Sequence, residues 1–171
     1  MNYSFKSCED YFKFYKNDSL IKVSDKNPLL AINLQHAELI LIDLKKKKVK
    51  TDPFSVLGLS VFASSLDKKQ VNEIIAVLLK DLDFDLLLFR FFDDKKLLKL
   101  MNQKYDPFIN SFNKIFKMKL TIIEDLIKNS NCVTNKNLLK KFIQQLNNFH
   151  LTTLFKFISA ASKRLLMLVI T

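Results

Sequence analysis

The sequence predicts an α+β protein: a small N-terminal antiparallel β meander over residues 1–32, followed by a larger all-helical domain over residues 33–171. Three observations carry this expectation. Aromatic residues and lysine alternate through Tyr11–Tyr15, the period of a strand with one buried face. Two β-prone runs, Leu20–Val23 and Pro28–Ile32, are separated by the polar turn Ser24–Asn27. From Asn33 onward apolar residues recur at the 3.6-residue spacing of a helix.

The elements follow in order. Asn17-Asp18 offers a turn after the first strand, so the meander has two or three strands. Asn33 can cap a helix whose apolar stripe is Leu34, Ala37, Ile40, Leu41 and Leu44. That helix runs into Lys45–Lys48, where cations favour the carbonyl end, and stops before Asp52-Pro53. Phe54–Leu66 is almost uncharged and predicts a buried helix. Asp67 caps the next, with Val71, Ile74, Ile75 and Leu78 facing inward. Asp85–Phe92 is a short apolar segment holding one arginine. Asp93 is expected to cap a helix to about Lys104, and Asp106-Pro107 to start another carrying Phe108, Phe112, Ile115 and Phe116. Thr121–Ile127 predicts a short helix, and Asn135–Leu146 and Leu151–Val169 two amphipathic ones. No internal repeat or low-complexity linker interrupts the chain.

Composition excludes several classes of function. The 171 residues hold a single glycine, Gly58, and three prolines, so the glycine-rich loops that cradle nucleotide phosphates are excluded. Cys8 and Cys132 match no zinc or redox spacing, and His36 and His150 have no second ligand at i+3 or i+4. We therefore expect no structural metal and a reducing compartment. No apolar run reaches the ~20 residues that cross a bilayer, and Glu9 and Asp10 near the start fit neither a signal nor a transit peptide. A soluble protein is expected, with no membrane insertion.

The formal charge is +11, which invites a nucleic-acid partner. Only Arg90 and Arg164 are arginine, however, so 26 of the 28 basic residues are lysine. Arginine supplies the bidentate base contacts, and its scarcity argues against that partner. The abundance of Lys, Asn, Ile and Phe without Trp is what an AT-rich genome encodes. The acid pairs Asp83/Asp85 and Asp93/Asp94 lack a histidine-rich or glycine-rich setting, and Ser64-Ser65 lies in a buried helix. No nucleophile has a base beside it, so no catalytic residue is assigned and an enzyme is not expected. Arg90 is different: a guanidinium in an apolar segment needs a carboxylate or carbonyl partner.

In their order and spacing these features resemble the ATP12 family, assembly chaperones of the F1 part of ATP synthase. The family's Asp-Leu-Leu-x-Tyr-Arg motif is similar to Asp85-Leu86-Leu87-Leu88-Phe89-Arg90, with Phe89 in place of tyrosine. Its Trp-Asp-Pro is similar to Tyr105-Asp106-Pro107. Its Pro-Leu-x-Leu strand and following helix ending in Glu-Trp resemble Pro28–Leu44, with Asp43-Leu44 at the end. Its Asp-Pro before a helix ending in Ala-Ile-Asp resembles Asp52-Pro53 through Asp67. The segments Ser111–Leu120 and Leu151–Leu154 also resemble family helices. The family has tryptophan where this chain has Leu44 and Tyr105, its first strand is longer, and it continues past the position of Thr171 into an acidic helix.

The resemblance implies a chaperone without enzymatic activity or cofactor, monomeric when free, whose partner is the unassembled α subunit of F1. It implies a bacterial cytoplasm, of an alphaproteobacterium, or a mitochondrial matrix in a eukaryote. Under it, Asp85, Arg90, Tyr105 and Asp106 are expected to hold the domain junction in a structural role, while exposed apolar and lysine-rich faces, including the helix Asn33–Lys48, meet the client. The alternatives from the residues are a basic helical nucleic-acid-binding module and a decayed family member without a client.

Overall fold

Alternation in the first sixteen residues builds a hairpin with an aromatic inner face. Strands β1 (Tyr3–Cys8) and β2 (Tyr11–Lys16) pair antiparallel, with Phe5 opposite Phe14 and Ser7 opposite Phe12. Side chains alternate along a strand, so Phe5, Phe12 and Phe14 share one face. Phe5 meets Phe12 edge-on at 5.7 Å between ring centroids and Phe14 at 6.0 Å. The structure, a computed structural model, describes residues 2–46, 52–90, 93–124, 133–134 and 136–160.

The meander has four strands, not two or three. Strand β1 precedes the aromatic-lysine run, and its single phenylalanine and two serines give a weaker pattern than β2. Asn17 and Asp18, at φ 45° and 64°, make the expected turn into β3 (Ser19–Leu20). Two consecutive left-handed residues match the strand twist, and Asn and Asp tolerate that conformation best. Strand β4 (Leu30–Ala31) pairs with Phe12 and Lys13 along the same edge of β2. The expected strands Leu20–Val23 and Pro28–Ile32 are thus shorter, joined only by an isolated bridge from Lys22 to Pro28. Pro28 has no N–H to extend a ladder.

Packing divides the chain into two compact units, Met1–Val71 with Leu146–Thr153 and Asn72–Gln145 with Leu154–Thr171. The change from strand to helix at residues 32–33 falls inside the first unit. Its core is Phe14, Leu29, Ala31, Ala37, Ile40 and Leu57, with Phe5, Phe12, Ile21, Val23, Leu44, Val56 and Val61 packed against them. Helix α1 (Leu34–Lys45) is capped as expected: Asn33 Oδ1 accepts the His36 N–H at 2.8 Å. Lys47 and Lys48 lie outside the described residues.

Helix α2 (Val56–Ser65) starts two residues later than expected, because Asp52-Pro53 is spent in a turn. Asp52 Oδ1 accepts the Phe54 N–H and its carbonyl accepts the Ser55 N–H, and Ser55 Oγ then caps Gly58. This turn folds back onto the helix so closely that a Cβ at position 58 would stand 2.3 Å from the Asp52 carbonyl oxygen. Glycine is required there for space, not for its dihedral freedom.

In the second unit, α3 (Lys68–Asp81) begins at the expected cap in the first: Asp67 and Gln70 exchange reciprocal side chain–backbone bonds of 2.8 and 3.0 Å. Ile74, Ile75 and Leu78 are buried and Val71 is half-buried. Two 3₁₀ turns, Leu82–Phe84 and Leu86–Leu88, follow. Phe91 and Phe92 lie outside the described residues.

The expectation of two helices meeting at Asp106-Pro107 is wrong. Helix α4 runs unbroken from Lys95 to Phe116 with Pro107 inside it, and Asp94, not Asp93, accepts the first N–H groups. An internal proline costs roughly 3 kcal/mol. Burial of Ile109, Phe112 and Phe116 beyond it offsets that, at about 1.5–3 kcal/mol for each large side chain. The helix ends at Lys117, φ 47°.

Thr121–Glu124 is not helical either, and Asp125–Ile127 lie outside the described residues. Strand β5 (Lys119–Leu120) pairs with β6 (Val133–Thr134), and Ile123 bridges Phe89 in parallel. The β-branched run Thr121-Ile122-Ile123 suits extended backbone. The helical part of the chain therefore contains a minimal two-residue ladder. Helices α5 (Asn137–Gln145) and α6 (Asn148–Ala160) follow, and Leu139, Ile143, Leu151, Leu154 and Ile158 are buried. Helix α6 begins three residues before the expected Leu151, since Asn147 caps it; residues 161–169 lie outside the description.

Gly58→Ala should lower stability by about 1–3 kcal/mol through overpacking, although alanine in an open helix would gain about 1 kcal/mol. Urea denaturation of both proteins gives the sign, and a more stable variant would contradict the close approach.

Candidate functional site

The motif around Arg90 assembles within the second unit. Asp85 is fully buried, and its Oδ1 accepts the Leu87 N–H at 3.0 Å while its carbonyl accepts the Leu88 N–H. That tight turn presents carbonyls to the arginine. Arg90 Nη1 donates to the Leu87 carbonyl at 2.5 Å and the Phe89 carbonyl at 3.0 Å. Nε donates to Asn102 Oδ1 at 2.9 Å and Nη2 to Asp106 Oδ1 at 3.3 Å. Asn102, Tyr105 and Asp106 are at i, i+3 and i+4 on α4, hence on one face. Tyr105 lies beneath the guanidinium, 5.7 Å from ring centroid to Cζ.

Arg90 is only 4% exposed, so four charge-assisted bonds replace its hydration. Its backbone is tied as well, N–H to the Ile123 carbonyl at 2.9 Å. Of the residues singled out from the sequence, Asp85, Leu87, Phe89, Arg90, Tyr105 and Asp106 come together here. Leu86 contributes backbone to the turn, and Pro107 follows Asp106 on the exposed side of α4. Asp83 binds Lys136 Nζ at 2.7 Å, which also reaches the Leu79 carbonyl.

The remaining motif residues belong to the first unit. Asp43 accepts Lys46 Nζ at 2.7 Å and the Leu57 N–H at 3.3 Å. The Lys46 hydrogen bond holds its carboxyl below the usual carboxylate range. Leu44 packs into the core, Asp52 and Pro53 form the turn under Gly58, and Asp67 caps α3.

The first unit also contains a groove of about 400 Å³ between α1, α2 and the start of α6, lined by His36, Leu39, Val56, Leu59, Ser60 and Phe149 among others. His36 stands edge-on to Phe149 at 5.2 Å. Its Nδ1 accepts the Ile32 N–H at 3.3 Å, so the neutral ring carries its proton on Nε2 and donates it to Ser60 Oγ at 2.8 Å. Ser60 Oγ in turn donates to the Val56 carbonyl. A histidine that donates to a serine cannot also take that serine's proton. The pair is a bridge, not a nucleophile with its base.

Beside it, Ser64 Oγ accepts the Leu30 N–H at 3.1 Å, so the buried helix satisfies a strand amide. Among the described residues no three His, Cys, Asp or Glu side chains converge as metal ligands, and no helix is long and apolar enough to cross a membrane. The sequence singled out neither Ser60 nor Asn102, and His36 only as a histidine without a second ligand. Only Asn102 left a trace, four residues before Asp106.

Arg90→Ala should cost about 3 kcal/mol or more, since it strands buried acceptors. Arg90→Lys should cost nearly as much, because one ammonium cannot reach acceptors set in a fork; urea midpoints of the two variants check this. Burial lowers the His36 pKa below 6.5. The unfolded chain therefore binds the proton first, and stability falls as pH drops below about 6.5 toward the folded value. His36→Gln should flatten that part of the stability–pH profile, and an unchanged slope would remove His36 as its source.

No family profile matches the sequence, and no curated protein matches it. Solved structures do. A proposed chaperone from Agrobacterium tumefaciens matches with a TM-score of 0.78 at 17% identity, over 98% of this chain and 64% of that one. Atp12 from Paracoccus denitrificans and a point mutant of it match at 0.77 and 19% identity, over 98% of this chain and 72% of theirs. The chain thus spans under two thirds of the length of the Agrobacterium protein. Over nearly its whole length, it has the Atp12 fold.

Proposed function

We propose that the chain is an assembly chaperone that binds the unassembled α subunit of F1 and keeps it from aggregating until α pairs with β. The observation that carries this reading is the Atp12 fold along 98% of the chain. The ordered motifs from Asp43 to Pro107 support it, as resemblances to the family. The chain acts by binding, without a reaction or a cofactor, as a monomer in a bacterial cytoplasm or a mitochondrial matrix.

The physics of the task is mass action. A partner that covers an exposed subunit interface lowers the concentration of free, sticky subunit. It must then yield to β, which calls for an interface of modest size and partly polar character. Helix α1 offers such a surface: Leu34, Leu39 and Ile42 are exposed and followed by Lys45 and Lys46.

Co-expression with the F1 α subunit of the same genome, in the absence of β, tests the reading. Soluble α that co-purifies with this chain at moderate salt, and leaves it when β is added, is the expected result. Aggregated α beside a folded, soluble chain would refute it.

A further inference from the structure

Helix α4 buries one side and leaves the other bare. Ile109, Phe112 and Phe116 face inward, whereas Leu97, Leu100, Phe108 and Ile115 are 39–59% exposed. With Lys104 and Ser111 these residues form one line, in steps of three or four. At 1.5 Å per residue the line from Leu97 to Ile115 is about 27 Å long. Lys104 sits within it. Lys96 and Lys114, both exposed, lie on one border near its two ends. The helix's own carboxylate, Asp106, points the other way and is engaged by Arg90.

We propose that this face of α4 is a docking surface for an acidic amphipathic helix of a protein partner. Apolar residues of the partner cover Leu97, Leu100, Phe108 and Ile115, and a carboxylate meets Lys104. A second copy of the chain brings the same Lys96, Lys104 and Lys114, while the one carboxylate of its α4 is engaged by Arg90, so it is not the occupant. A bilayer is disfavoured too, because a helix lying in it keeps its lysines on the polar face, whereas Lys104 stands in the middle of the apolar line. The inference deepens the chaperone reading and rests on it: the acidic helix belongs to the client.

The co-expression assay with F1 α decides it, with the full chain, Lys104→Glu and the double variant Leu100→Ser/Ile115→Ser. All three substitutions are on exposed positions, and thermal melting verifies that each variant is folded. Capture of α should fall at least tenfold in both variants at unchanged melting temperature. Equal capture by wild type and both variants would overturn the surface and leave the chaperone reading standing. Loss in the double variant with full capture by Lys104→Glu would overturn the acidic partner. Flotation of the wild type with phosphatidylglycerol vesicles, lost in Lys104→Glu while α capture persists, would assign the face to a membrane instead. No capture by the wild type would end both readings.

Discussion

A guanidinium removed from water must find acceptors, and the second unit is organised around where Arg90 finds them. Its four bonds go to a turn carbonyl, its neighbour's carbonyl, an amide and a carboxylate, the last two on α4. Asp85 helps make this possible by tightening the turn that aims the Leu87 carbonyl. The backbone of Arg90 pairs with Ile123, so one residue fixes a turn, a helix and an extended segment together. A buried charge with partners adds little net stability over a well-packed apolar residue. What it adds is register, because α4 can neither slide nor rotate without stranding Asn102 and Asp106 opposite a desolvated cation.

The first unit solves a similar problem with neutral groups. Strand β4 pairs over only two residues, and the amides of Leu30 and Ile32 would otherwise lack partners. Ser64 on α2 accepts one and His36 on α1 accepts the other. Helix side chains thus complete a short sheet edge, and the hydroxyl-bearing, almost uncharged face of α2 is explained. Gly58 belongs to the same economy of space, since the Asp52 carbonyl occupies the place of its missing side chain. Thr152 is the exception among the described residues: its hydroxyl is buried and unpaired, at a cost of about 1–3 kcal/mol.

How far the sequence disclosed this depends on the range of each interaction. Asn33 and Asp67 were legible as caps because a cap bonds within three residues of itself. The sequence pointed to Asp93 where Asp94 is the cap, since either acid could cap and only the chain path chooses. Pro107 misled because its cost is local while the compensation, burial of Phe112 and Phe116, is tertiary. Thr121–Glu124 misled because its extended form is set by Leu88 and Arg90, more than thirty residues upstream. The demand of Arg90 for a partner could be read from its apolar neighbours. That Asn102 and Asp106 meet it together follows only once α4 is continuous. The His36–Ser60 bridge spans 24 residues and left no pattern at all.

The continuity of α4 therefore has two consequences on opposite sides of one helix. A break at Pro107 would have put Asn102 and Phe108 on separate helices, each free to choose its own face. An unbroken helix cannot do that. Once Asn102 and Asp106 are turned toward Arg90, and Ile109, Phe112 and Phe116 toward the core, the 3.6-residue period forces Leu97, Leu100, Lys104, Phe108 and Ile115 outward. The exposed apolar line is thus a geometric result of seating Arg90. It persists, with Lys104 at its centre, because nothing in the packing of the described residues needs those side chains. A partner that reads the line would be reading, at second hand, the position of the buried arginine.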